Sequence, residues 1–243
     1  MRRAAAIMAL CALLAAGGAV WATPSTTFWT PCTMDIQAPH VWHLGIDNYF
    51  TVGKRGPGNG GEAFSADVGL TYGLRVTRKI QAEVGVDMLE PADYPWFINA
   101  KIGYPEGALG AHAPAVEVGI FNVGTRRGVT NQNVFHLIVG KTLPGNAGRL
   151  HVALYHGNDC VLRSSAGDNQ ASGFMVAYDR WLRPGKRLLA ADYASGRNAI
   201  GGGGAGVYYF FSKDVSVLAG PVWFNDSGIN GRMKWTAQLD INF

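Results

Sequence analysis

The sequence predicts an all-β chain: a closed, up-and-down antiparallel β-barrel of about twelve strands that spans a membrane, preceded by a signal peptide. Three observations predict it. The N-terminus is charged and then apolar, apolar residues recur at every second position along most of the chain, and short connectors alternate with long ones. Composition agrees with this reading. Of 243 residues, 33 are glycine and only 16% are charged, where a soluble domain carries about a quarter. Mean hydropathy is near zero, yet no stretch after the N-terminus approaches the ~20 consecutive apolar residues of a spanning helix. The formal charge of +4 is modest, and no dense basic–aromatic patch points to nucleic acid.

Residues 1–22 read as the signal peptide. Arg2 and Arg3 form its charged start, Ala4 to Val20 its apolar stretch, and Val20-Trp21-Ala22 a cleavage site with acceptable residues at −3 and −1. An uncleaved anchor is the alternative. Cys11 does not make a lipoprotein, because Leu10 is too large for that processing site and the apolar run continues past it. Residues 23–38 contain two prolines and no clear period, and are expected to form a periplasmic lead-in or a small plug. The barrel occupies 39–243. Cys32 and Cys160 remain in the mature chain, where an oxidising compartment permits a disulfide. They start on opposite sides of the membrane, so pairing requires the N-terminal segment to thread up the barrel. Two free thiols are the simpler expectation, and no C-x-x-C or zinc-ligand spacing is present.

The strands follow in order. In the first, Trp42, Leu44, Ile46, Phe50 and Val52 alternate with His43, Gly45, Asp47, Tyr49 and Thr51. Successive side chains of a strand lie on opposite faces, so one face is apolar and the other polar or small. The second sets Phe64 through Val76 against Ser65, Asp67, Gly69, Thr71, Gly73, Arg75 and Thr77; the third sets Ile80 through Met88 against Gln81, Glu83, Gly85 and Asp87. The fourth sets Trp96, Ile98, Ala100, Ile102 and Tyr104 against Asn99, Lys101 and Gly103. Further strands are expected near 114–123, 133–143, 149–157, 171–182, 187–195, 203–212 and 215–224. The eleventh is ambiguous on both faces, and Pro221 within it suggests a bulge. Long connectors at 53–62, 124–132, 157–170 and 196–202 alternate with short ones such as Thr77-Arg78-Lys79 and Lys213-Asp214. The Gly201–Gly204 run reads as a flexible connector and lacks the Lys-Ser/Thr of a phosphate loop. Ten strands is the alternative count if weak hairpins are loops.

In the final strand Met233, Trp235, Ala237, Leu239, Ile241 and the terminal Phe243 alternate with Lys234, Thr236, Gln238, Asp240 and Asn242. This ending resembles the C-terminal assembly signal of bacterial outer-membrane β-barrel proteins of porin-like type. The resemblance implies that Trp235, Leu239, Ile241 and Phe243 are read by the barrel-assembly machinery, and that the address is the Gram-negative outer membrane. A soluble sandwich alternates as well, but it carries dense Lys and Glu outside. Here the polar face is Gly, Ser, Thr and isolated charges, and aromatics (Trp42, Tyr72, Trp96, Tyr104, Tyr178, Trp223, Trp235) sit near strand ends, as interface girdles do. With an even strand count both termini face the periplasm and the 53–62 connector is extracellular.

The polar face supplies the candidate lumen-lining residues: Asp47, Asp67, Arg75, Glu83, Asp87, Lys101, Glu117, His136, His151, Asp179, Asp192, Lys234 and Asp240, together with His43. Acids predominate. Two readings compete: carboxylates lining a wet path that prefers cations, or a bore filled by acid–base pairs. The expected function is a small passive pore for ions or small solutes with weak cation preference, the alternative a non-conducting structural or adhesive barrel. Inward glycines suit open space, an inserted segment or strand curvature. A remote alternative is a lipid hydrolase built on His156 and Ser172, with Asn158 or Asn169 as orienting group. No enzyme, cofactor or metal is expected. Partners are expected to be outer-membrane lipid, lipopolysaccharide phosphates at basic loops, and small solutes or ions.

Overall fold

A computed structural model describes residues 28–51, 66–90 and 93–243 of the chain. The expected signal peptide at 1–22, residues 23–27 and the connector 53–62 lie outside the described residues. Twelve strands follow one another: β1 Trp42–Phe50, β2 Ala66–Arg75, β3 Gln81–Glu90, β4 Trp96–Tyr104, β5 Ala115–Gly124, β6 Asn131–Thr142, β7 Arg149–His156, β8 Ser172–Arg183, β9 Arg187–Ala194, β10 Gly202–Phe210, β11 Val215–Phe224 and β12 Lys234–Asn242. Each pairs antiparallel with its sequence neighbours, and β1 pairs with β12 to close the barrel. The seam runs from His43↔Asn242 to Phe50↔Trp235, and beyond it Trp42 and Phe243 exchange backbone hydrogen bonds of 2.8 and 3.0 Å. Closure removes the sheet edge, whose unpaired amides would each cost several kcal/mol in hydrocarbon.

The burial pattern is that of a barrel in lipid. Along β6, Val134, His136 and Ile138 are buried, while Phe135 and Leu137 are 60% and 44% exposed. Along β7, Leu150, Val152 and Leu154 are exposed and His151, Ala153 and Tyr155 buried. Exposed tryptophans mark both ends of this belt: Trp42 at the end where β1 starts and β12 finishes (the terminal end), and Trp96, Trp223 and Trp235 at the opposite, loop end. Large apolar side chains outside and charges inside reverse the order of a soluble core, and they suit a solvent of acyl chains. No helix among the described residues is long and apolar enough to cross a membrane.

Two local expectations are corrected. Pro221 makes no bulge: it pairs in register with Trp235. Registers shift instead between Ile98 and Ala100, between Phe121 and Val123, and between Trp181 and Arg183. Asn122 provides the left-handed backbone that the second shift needs, with φ of 53°. The Gly201–Gly204 run is not a loose connector either, since Gly202–Gly204 open β10 and are buried. The 225–233 connector carries a single helical turn, α1 Ser227–Asn230, capped by Asp226.

Candidate functional site

The lumen is divided. Residues 28–38 run inside the barrel, from mid-height near the loop end down to the terminal end. Phe28 is fully buried against Tyr49, Tyr208, Phe210 and Val222. Its ring occupies space left by three glycines: a Cβ added at Gly204, Gly206 or Gly220 would approach Phe28 to between 2.6 and 2.7 Å. Met34 lies in the same way over Gly140, and Ala38 over Gly73. Cys32 is buried among Val134, Ile138, Ala153 and Met175. The inner faces of β10 and β11 are apolar for this reason, which explains the ambiguity of the eleventh strand. Both Cys32 and Cys160 are free thiols, one buried and one exposed.

Polar side chains of the wall hold this segment along its length. Asp192 accepts from the backbone N–H groups of Trp29 and Thr30 at 2.8 and 2.7 Å, and from that of Gly204 at 3.0 Å. Lys101 donates to the carbonyls of Thr33 and Asp35 and lies 3.8 and 3.4 Å from Glu83 and Glu117. Arg149 forks in two directions, to both oxygens of Asp35 and to both oxygens of Asp179. His151 accepts the Met34 N–H at Nδ1, 2.9 Å, so its Nε2 carries the proton that faces Asp179 at 3.0 Å. Glu83 accepts the Gln37 N–H, and the Gln37 side chain donates to Asn242. Gln37, Asn242, Glu83 and His43 (Nδ1 3.1 Å from Asn242 Oδ1) therefore form a floor near the terminal end.

The other half of the lumen is hollow. A cavity of about 320 Å³ lies between the segment and the inner faces of β1–β6. Asp47, Asp67 and Asp87 stand on three successive strands of its wall, Asp47 directly opposite Asp67 in the β1–β2 register and Asp87 opposite Gly69 in the next. A rail of amides continues from them: Asn99 donates to Asp87, the Asn122 N–H donates to Asn99 at 2.9 Å, and the Asn122 side chain donates to Gln132 at 2.9 Å. His136 closes this arc on β6, stacked near Phe121 at 5.5 Å. Trp29 and Thr30 of the segment line it as well, with Tyr49 of β1 beside Trp29.

The candidate residues thus fall into two groups. Glu83, Lys101, Glu117, His151, Asp179 and Asp192 hold the inserted segment or pair beside it, and Glu83 and Lys101 also border the hollow. Asp47, Asp67, Asp87 and His136 face the hollow, with Asp240 at its lower edge 3.5 Å from His43. Lys234 sits at the loop end and donates to Thr51 at 3.2 Å, and Arg75 is exposed at the terminal end of β2. Of the assembly-signal residues, Trp235 and Phe243 are exposed, and Leu239 and Ile241 share their outward face. Sequence reading passed over Asn122 and Gln132. Alternation places them badly, because the register shift at Asn122 breaks the period.

His156 Nδ1 does lie 2.8 Å from Ser172 Oγ, on the exposed outer rim. The proposed orienting groups are engaged elsewhere: Asn158 holds the Asn131 carbonyl and the Cys160 N–H, and Asn169 holds the Ala171 N–H. No group of three or more His, Cys, Asp or Glu among the described residues is arranged to hold a metal ion.

No protein-family model matches this chain, and no curated protein matches it in sequence. Solved structures do. A NanC porin structure superposes with a TM-score of 0.52 at 7% identity, covering 83% of this chain and 98% of that one. An outer membrane channel from Pseudomonas putida F1 gives 0.48 at 9% identity, covering 86% and 97%. The first of these agrees with the closed twelve-stranded sheet: this chain has the fold of a porin-like β-barrel.

Proposed function

We propose that the protein is a narrow passive pore of the bacterial outer membrane, for ions or small solutes and with a preference for cations. One observation carries this reading: the hollow half of the lumen is lined by Asp47, Asp67 and Asp87, none of which has a basic side chain in ion-pair contact among the described residues. Uncompensated carboxylates in a confined, poorly screened space raise the local concentration of cations and lower that of anions. The basic residues of the interior, Lys101 and Arg149, are spent on Glu83, Glu117, Asp35 and Asp179. The porin-like fold supports a pore of some kind; the cation preference rests on these side chains.

The floor of Gln37, Asn242, Glu83 and His43 favours a second reading, a barrel that does not conduct. Planar-bilayer recording of the refolded mature chain separates the two. Discrete conductance steps, with a reversal potential in a salt gradient on the cation side, support the pore. An Asp47→Asn, Asp67→Asn, Asp87→Asn triple variant then moves that potential towards zero. No steps at any voltage rejects the pore.

A further inference from the structure

We infer that the hollow half of the lumen is a saturable binding site for one small organic cation, an alkylammonium or guanidinium compound carrying a further hydrogen-bonding group. The inference deepens the pore reading and rests on its premise that solutes reach the interior.

Size comes first. A cavity of about 320 Å³ holds roughly ten waters at ~30 Å³ each, which is the scale of small-molecule sites and far below that of a peptide or oligosaccharide. Charge comes second. Asp47 and Asp67 face each other across the β1–β2 ladder and Asp87 follows one strand on, so three carboxylates converge on one wall. Asn99 partly satisfies Asp87. Asp67 Oδ1 is buried and has no hydrogen-bond partner among the described residues. Buried carboxylate oxygens are ordinarily paired, and a cationic N–H donor is the partner that also offsets the charge.

An independent observation lies across the same space. His136 is 6% exposed, lines the cavity, and has neither ring nitrogen hydrogen-bonded among the described residues. A neutral imidazole offers one acceptor and one donor. An amino alcohol or acylated amine supplies a partner for each together with its cationic nitrogen. Trp29 on the segment and Tyr49 on β1 add ring faces, and aromatic faces attract desolvated organic cations. The carboxylates, the imidazole and the rings therefore converge on one chemistry. The segment fixes two of these groups and makes the chamber small, so the same insertion that narrows the pore builds the site.

The test uses the refolded full mature chain in detergent, titrated calorimetrically and by tryptophan fluorescence. The probes are ethanolamine, choline and agmatine, with glycerol and succinate as the neutral and anionic comparisons. The expected result is saturable one-to-one binding of at least one cation and none of glycerol or succinate. Asp67→Asn weakens it tenfold or more, and Glu106→Gln, at the other end of the barrel beside Lys141, leaves it unchanged. His136→Phe tests the second side of the site, and weakens ethanolamine more than ethylamine, its counterpart without the hydroxyl. Should Asp67→Asn not refold, the His136→Phe pattern decides alone. Equal binding of succinate, absence of saturation with all three cations, or indifference to the site variants overturns the inference. Binding without conductance leaves the site standing and removes the pore. Cation-selective conductance without saturation does the reverse.

Discussion

The two halves of this barrel are built from the same alternation and end up with opposite interiors. On β7–β11 the inward positions include Ala153, Ala177, Ala190, Gly204, Gly206 and Gly220, small residues beside the buried Phe28 and Cys32. On β1–β3 they include Gly45, Gly69 and Gly85 beside Asp47, Asp67 and Asp87, and these residues border the hollow. Glycine thus has two meanings in one sheet. Opposite the segment it makes room for a side chain from elsewhere; on β2 and β3 it makes room for neighbouring wall side chains, Asp87 over Gly69 and Thr71 over Gly85. Carboxylates divide in the same way, Asp179 and Asp192 receiving N–H groups of the protein and Asp67 keeping an oxygen unpartnered.

The largest expected break in this contrast is removal of residues 28–38. The filled half then becomes hollow, and single-channel conductance rises severalfold in bilayers; unchanged conductance means that ions do not pass through the lumen at all. Next is Arg149→Ala, which strands Asp35 and Asp179 together. Breaking a largely buried ion pair costs about 3 kcal/mol, read as a lowered urea midpoint of unfolding in lipid vesicles. Arg149→Lys recovers only part of it, since an ammonium cannot fork to two carboxylates.

A pair of alanine substitutions sharpens the comparison more finely. A Cβ at Gly204 meets Phe28 at 2.6 Å, whereas one at Gly45 meets nothing nearer than His43 Nε2 at 3.6 Å and Asp47 Oδ1 at 3.9 Å. Gly204→Ala is therefore expected to cost about 1–3 kcal/mol through overpacking and to shift the segment. In a Cys160→Ser background it makes the buried Cys32 react with a water-soluble thiol reagent. Gly45→Ala is expected to stay within about 0.5 kcal/mol and to leave Cys32 unreactive. Equal labelling of the two variants contradicts a seated segment.

The smallest effect lies outside the membrane. Asp226 accepts from the Ser165 N–H at 2.9 Å, from its hydroxyl and from the Gly228 N–H at 3.0 Å. The Ser165 backbone bond first, and then the others, hold its carboxyl below the usual range. A depressed carboxylate contributes its stability above the unfolded value, about 3.9, and loses it as pH falls through the folded one. The 157–171 and 225–233 connectors should therefore separate only once pH falls well below the usual carboxylate range, read as pepsin cleavage near Ser165 that Asp226→Ala brings to a higher pH.

Much of the fold was legible before any coordinates. Phe135, Leu137, Leu150, Val152 and Leu154 point outward as their parity requires, and all twelve strands lie close to where alternation puts them. Two kinds of feature were not. Pro221 was read as a bulge because proline lacks a ladder donor, yet register there is held by β12. The glycines at the start of β10 were read as a connector, because a residue with no side chain gives no parity and its reason is Phe28, more than 170 positions away.

The chain's order of residues alone determined which face of each strand meets hydrocarbon and which is enclosed, because a two-residue period is local and strands in a bilayer must pair their amides in a closed sheet. Only the tertiary structure decided what the enclosed face encloses. Residues 28–38 have no period to read, and their partners (Asp192, Arg149, His151, Glu83) come from three separate strands. Whether an inward acid binds the protein's own backbone or stays free for a solute depends on where that segment lies, which is a property of the closed barrel.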